Sequence, residues 1–334
     1  MQQDFERIAG IRHGGLWLLG LSVLAVAALW LSLSVGSAGL DGKILFYVLR
    51  GEEPGAARDW VLGLRLPRAL AAFGSGALLG LAGTLMQVLL RNPLADPYVL
   101  GISGGAGAAA LGAMVLGWGA LGVNVAAFLG AVATMLAVVW LARGNEAWTS
   151  TRLLLTGVMV GAGWGAVVSL LLALAPDARL RGMLFWLMGD LGSAGAPGWS
   201  LAAAVIGLAV TLPAARHLNV LGLGETTAFT LGVPVARLRW HLYLTASLLT
   251  AVAVTTVGSV GFVGLVVPHA VRLLVGNDQR VALPASALAG GAGLVLADTL
   301  ARTVVAPQQL PVGVVTALIG VPAFLYLFSR RVAR

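Results

Sequence analysis

Apolar residues run along this chain in long unbroken stretches, separated by short polar clusters rather than alternating with them. A helix crossing a bilayer needs about 20 predominantly apolar residues to traverse ~30 Å of hydrocarbon. On that scale candidate spans centre on 16–36, 66–89, 98–116, 120–142, 153–175, 198–214, 241–257, 262–275, 281–298 and 311–328. The eighth is short and the ninth rich in glycine. The pattern therefore predicts an all-α, polytopic membrane protein with about ten transmembrane helices. Barrel strands would alternate apolar and polar residues, which these runs do not. Residues 16–36 are long for a signal peptide and lack a small-residue cleavage site, so they are taken as the first retained span.

Composition removes whole classes of function. Hydrophobic residues make up 59% and charged residues 10% of the chain; a water-soluble fold of this size needs more charge on its exterior. The one lysine is Lys43, and no G-x-x-x-x-G-K-[ST] string occurs, so ATP is not expected to bind through a phosphate loop of that kind. Energy for transport would then come from a partner or an ion gradient. Cysteine is absent, which excludes disulfides and thiolate metal sites.

Arginine sets the expected orientation. If both termini are cytosolic, the inside segments 1–15, 91–97, 143–152, 214–241, 272–280 and 329–334 hold 13 of the 21 Lys and Arg residues. That bias, with Arg330, Arg331 and Arg334 at the end, favours both termini inside. The net charge of +8 is thus mostly a topology signal. No basic patch interleaved with aromatics suggests nucleic acid.

Several segments stand out from the spans. In Arg91-Asn-Pro-Leu-Ala-Asp-Pro97, two prolines prevent the preceding helix from continuing, and Asn92 or Asp96 is placed to cap a helix start. Within the longest inside loop, the stretch 224–240 predicts a short helix from Glu225 to Leu231 stopped by Gly232, then a second short helix with Pro234 in its first turn. Such a knob can couple mechanically to another protein, or lie on the interface as an amphipathic loop. On the outer side Arg65 and Arg68 face similarly at the mouth of span two. Arg302 follows Asp298 by four residues, which permits either docking of an acidic partner or a local ion pair. Gly157, Gly161 and Gly165 form overlapping G-x-x-x-G steps, and Gly101, Gly104, Gly105 and Gly107 cluster; both suit close helix packing in lipid.

Taken together, Arg65-Leu-Pro-Arg68, Arg91 to Pro97, Leu223-Gly-Glu225, Leu231-Gly-Val-Pro234, Gly261-Phe-Val-Gly-Leu-Val-Val-Pro-His269-Ala-Val-Arg272, Leu296-Ala-Asp298-Thr-Leu-Ala-Arg302 and Leu310-Pro-Val-Gly-Val-Val-Thr-Ala-Leu-Ile-Gly320 resemble the FecCD-type permeases. These are permease subunits of type II ABC importers for haem, cobalamin and ferric siderophores. The resemblance runs from about residue 60 to 328 in order and spacing. It implies one transmembrane permease domain over 1–334 in a bacterial inner (cytoplasmic) membrane, paired with a second copy of itself. Two cytosolic ATPase subunits, which would use ATP and Mg, and a periplasmic substrate-binding protein complete the assembly; the chain itself binds no cofactor and is not an enzyme. Spans 153–175 and 311–328 would line the pathway. The 224–240 segment, with Glu225, Gly232, Val233 and Pro234, would seat on the ATPase. Arg65, Arg68 and Arg302 would receive the binding protein, while Asn92 and Leu94, and Thr149 and Ser150, would form cytosolic gates. Gly258 to Leu265 would form a short outer helix. Within the family, haem is favoured as cargo, with cobalamin and ferric siderophore close.

Two other classes are weighed beside this. A proton-coupled secondary transporter could use Asp190 and Asp298, since acids near spans are costly and often functional; it leaves the 224–240 knob and the outer arginines without a role. An intramembrane enzyme built on Ser103 has no base in sequence reach. His269, after Pro268, reads as structural rather than as a haem ligand, and His13, His217 and His241 share no metal-ligand spacing.

Overall fold

The computed structural model describes residues 2–36, 39–40, 42–51, 55, 58–142, 149–192 and 197–332. Its helices are α1 (Gln2–Ser34), α2 (Gly42–Arg50), α3 (Leu66–Leu89), α4 (Ile102–Val115), α5 (Ala120–Ala142), α6 (Ser150–Leu174), α7 (Asp177–Leu187), α8 (Gly198–Thr211), α9 (Ala215–Gly222), α10 (Glu225–Thr230), α11 (Val235–Val257), α12 (Val263–Val275), α13 (Gln279–Thr303) and α14 (Val312–Val332). A π-helical stretch, Asp59–Arg65, leads directly into α3. Val35–Gly36 and Gly39–Leu40 form one two-residue antiparallel pair.

Each of the ten expected spans has a helix: α1, α3, α4, α5, α6, α8, α11, α12, α13 and α14. Among the described residues seven helical segments are long and apolar enough to cross a membrane, and α4, α12 and the apolar part of α14 (Val312–Leu327) are shorter. The fold is all-α and polytopic.

Helix α3 is the axis of the bundle. It tolerates Pro67 because that residue lies in the first turn, where no intrahelical N–H is owed. From Ser75 to Leu89 every residue is buried, against α13, α11, α8 and α12. The contact is close because the facing residues are small. Cβ atoms at Gly76 and Gly80 would overlap the carbonyl oxygens of Gly290 and Ser286 on α13, and one at Gly83 would overlap that of Gly264 on α12. In lipid, where apolar burial gives helices little reason to associate, this backbone-to-backbone packing supplies the attraction. The G-x-x-x-G steps on α6 serve in part: Gly157 and Gly161 abut Leu100 and Gly101, whereas Gly165 faces open space.

Two local expectations are corrected. Residues 258–262 are not helical; Gly258 and Phe262 have φ of 71° and 69°, which breaks the helix before α12 begins at Val263. No separate outer helix spans 258–265. The second short helix of the 224–240 segment is instead the start of α11, which continues without a break from Val235 into the seventh span. Pro234 stands at its N-cap, where its missing N–H costs nothing.

The close approach makes a test. Gly83→Ala places a methyl against backbone that cannot swing aside, and overpacking of this kind costs about 1–3 kcal/mol. Thermal unfolding in detergent should show a lowered midpoint for Gly83→Ala and an unchanged or raised one for Gly163→Ala, whose added methyl meets nothing within 4 Å. Equal midpoints for the two would contradict the packing assigned to α3.

Candidate functional site

The antiparallel pairing of α3 and α13 brings the start of one to the end of the other, and charged side chains collect there. Arg68 grips Asp298 with two groups: Nη2 to Oδ1 at 2.8 Å, and Nε to Oδ1 and Oδ2 at 3.0 and 3.2 Å. Its Nη1 donates to Gln309 Oε1 at 2.9 Å. Arg302 donates from Nε to Asp298 Oδ2 at 3.1 Å and from Nη2 to Ser32 Oγ at 2.8 Å. Arg65 donates to the Leu33 carbonyl at 2.8 Å. The Asp298 side chain is 0% exposed, which is tolerable for a carboxylate only because two guanidiniums share it. With three arginines to one carboxylate, this cluster itself carries surplus positive charge. The three arginines, Trp60 and Gln309 border a cleft of about 480 Å³.

Of the three arginines expected to receive a partner, Arg65 and Arg68 are partly exposed and Arg302 is buried. The local Asp298–Arg302 pair is present. The grip of Arg68 on Asp298, across 230 positions of sequence, was not visible in the spacing.

The opposite end of α3 carries the second set. Arg91 ends the helix at φ 48°, a conformation uncommon outside glycine. Asn92 Oδ1 accepts from Leu94 N at 2.9 Å, and Ala95 N donates to the Asn92 carbonyl at 3.0 Å, so 91–95 is a braced turn with Leu94 exposed. Asp96, not Asn92, caps the next helical turn, Pro97–Leu100, by accepting from Tyr98 N at 2.7 Å. Burial pushes the Asp96 carboxyl up to about 6, partly offset by that hydrogen bond. Thr149 caps α6, its hydroxyl accepting from Arg152 N at 3.3 Å; Ser150 opens that helix, and its side chain and Trp148 lie outside the described residues.

Between these turns and the 224–240 segment there is a direct link. Glu225, first in α10, accepts from Arg91 Nη2 at 3.1 Å and pairs with Arg239 of α11. Gly232, at φ 77°, turns the chain after α10, and Val233 is buried. Leu223, Phe229 and Leu231 are exposed by 71%, 76% and 63%. Three large apolar side chains at the tip of a polar turn are suited to cover by another protein.

Other expected positions are placed as follows. Asp190 Oδ1 accepts from Gly192 N at 2.7 Å, and its own N–H donates to the Val257 carbonyl at 3.0 Å. His269 is buried with its ring 6.3 Å from that of Phe324. Among the described residues no group of three His, Asp or Glu side chains could hold a metal ion. Helix α6 is scarcely buried within the chain, and α14 exposes Leu318, Ile319 and Leu325.

The doubly held Asp298 predicts a large effect. Asp298→Asn removes the one negative charge between two guanidiniums, and breaking a buried pair costs about 3–5 kcal/mol. Gln309→Ala, which removes one exposed acceptor, should cost about 1 kcal/mol or less. Thermal unfolding of the two variants in detergent checks the order.

The model of the FecCD transport family matches residues 24–330. A cobalamin import system permease from Halobacterium salinarum is 45% identical over 287 residues, covering 84% of this chain and 76% of the relative. An uncharacterized ABC transporter permease of Bacillus subtilis is 39% identical, covering 99% of this chain and 98% of the relative. A vitamin B12 import system permease of Escherichia coli is 38% identical, covering 94% and 95%. Among solved structures, a transporter described as of the metal-chelate ABC type, in an inward-facing conformation, superposes with a TM-score of 0.82 at 30% identity, over 94% of this chain and 98% of that one. The chain belongs to the FecCD transport family and is a multi-pass permease of the ABC transporter type.

Proposed function

We propose that this FecCD-family chain is the membrane-spanning subunit of an ATP-driven importer for a bulky metal chelate, working by alternating access. The observation that carries the reading is the 224–240 segment: a short helix bearing exposed Phe229, flanked by exposed Leu223 and Leu231, and tied by Glu225 to the neighbouring turn. Its partner is a cytosolic ATPase, two copies of which would use ATP and Mg; the chain itself would bind no cofactor. That end of the bundle is then cytosolic, with both termini on the same side, and the arginine cleft opens outward in a bacterial inner membrane.

The outer cleft suits a periplasmic binding protein presenting acidic residues. Arg65 and Arg68 offer its exposed charge, with Arg302 behind them on Asp298. A second copy of the chain would pack on the outer faces of α6 and α14, placing the pathway between them. Gates at Asn92 and Leu94, and at Thr149 and Ser150, would close its cytosolic end. On this reading 1–334 is a single permease domain and 224–240 its coupling segment. A conduit needs differential contacts in its two states rather than strong ligands for the cargo. Two of these relatives are named for the cargo class, and on that likeness a corrinoid stands ahead of haem and ferric siderophores as the first substrate to test.

A proton-coupled transporter using Asp190 and Asp298 is the rival. Weighing against it, the Asp298 side chain is enclosed and engaged by both Arg68 and Arg302, and Asp190 accepts from the backbone of its own turn.

Two variants of the reconstituted complex test the assignment. Arg65→Glu leaves the Arg68–Asp298 pair in place and should weaken binding-protein docking while the ATPase stays bound; undiminished docking would remove Arg65 from the surface. Gly232→Val strains a left-handed position and should let ATP hydrolysis continue while uptake falls. Normal uptake in that variant would count against the coupling role of 224–240.

A further inference from the structure

The turn after α3 and the segment proposed to meet the ATPase join at one carboxylate. Glu225 accepts from Arg91 on one side and pairs with Arg239 on the other. Arg239 is mostly buried on α11 and holds Glu225 to the span; Arg91 is 45% exposed and belongs to the gate turn. Each side of the junction is internally braced. Arg91 and Asn92 donate their N–H groups to the Val88 and Gln87 carbonyls, and Asn92 closes the turn through Leu94 and Ala95. On the other side Ala228 N donates to the Gly224 carbonyl, and Val233 N to that of Ala228, which ties α10 to the Gly232 turn. An ion pair open to solvent therefore joins two internally braced pieces.

Such a pair contributes little to fold stability, because water competes for both charges. That weakness suits a contact that must be made in one arrangement and released in another. It also stands where a displacement of α10 would reach Asn92 and Leu94 with no intervening flexible segment. We infer that the Glu225–Arg91 pair is the latch through which movement of the 224–240 segment is passed to the cytosolic gate turn, Glu225 acting as a positioning residue through Arg91. The inference deepens the proposed function and rests on its assignment of 224–240 to the ATPase and of Asn92 and Leu94 to the gate.

The test uses the whole complex: the chain with its co-purifying ATPase in liposomes, supplied with the binding protein loaded with cobalamin. Uptake per ATP hydrolysed is measured for the wild type, Arg91→Gln, Arg91→Lys, Glu225→Gln and the double Arg91→Gln/Glu225→Gln, at low and high salt. Arg91 is the discriminating position, since its variants leave the Glu225–Arg239 pair and the exposed apolar tip untouched. Arg91→Gln should lower uptake per ATP by about two- to fivefold, the range an exposed ion pair supports. Arg91→Lys should restore it, and the double should be no worse than Glu225→Gln alone. Salt should lower the wild-type ratio by a larger factor than that of Arg91→Gln, so that the two converge; a packing role for Arg91 would leave their ratio constant. A wild-type ratio in Arg91→Gln, or losses that multiply in the double, would overturn the latch alone. Absence of ATP-dependent uptake in the wild type would overturn the functional reading and the latch with it.

Discussion

Everything in this bundle is hung on the contact between α3 and the helices around it, made where Gly76, Gly80 and Gly83 let backbone meet backbone. In a bilayer the hydrophobic effect that assembles a soluble core is absent between helices, so dispersion at short range has to replace it. The absence of side chains at these positions is therefore the source of the attraction. It also fixes the depth of α13 and α12 against α3, and with that depth the register of the charged residues at each end.

Helix α3 consequently joins two electrostatic arrangements of different character. At its first turn Arg68 closes on a buried carboxylate shared with Arg302. That cluster is expensive to desolvate and very costly to break, which fits a fixed platform with surplus positive charge toward an outer partner. Two residues beyond its end, Arg91 meets Glu225 in solvent, where the same chemistry is weak and reversible. A rigid rod with a locked end and a labile end is a sound design for passing a displacement without unfolding its carrier.

How much of this was legible in the sequence follows from the range of each interaction. The spans were legible because hydrocarbon thickness imposes a run length that any window detects, and each run became a helix. The Asp298–Arg302 pair was legible because four residues is one helical turn. The hold of Arg68 on Asp298 and of Glu225 on Arg91 was not, since each joins helices whose adjacency is decided by tertiary packing. Glycine spacing was informative in part. With 46 glycines in the chain, spaced pairs occur widely; Gly157 and the 101–107 cluster do meet neighbouring elements closely, whereas the backbone contacts of Gly76, Gly80 and Gly83 on α3 did not stand out from the spacing. Residues 258–262 departed from expectation because positive φ at Phe262 is a backbone state that no side-chain pattern announces. Fusion of the knob's second helix with α11 has a simple cause: no breaker follows Pro234 before the span begins.

The central claim is that movement of cargo through this chain is driven by ATP hydrolysed on a partner seated at 224–240. The most direct measurement is uptake of cobalamin into liposomes bearing the purified complex, with ATP enclosed or omitted and with a protonophore present or absent. Accumulation that requires ATP and the loaded binding protein, and that ignores the protonophore, is the result the account predicts. Accumulation that proceeds without ATP and collapses with the proton gradient would contradict it, and would return attention to Asp190 and Asp298.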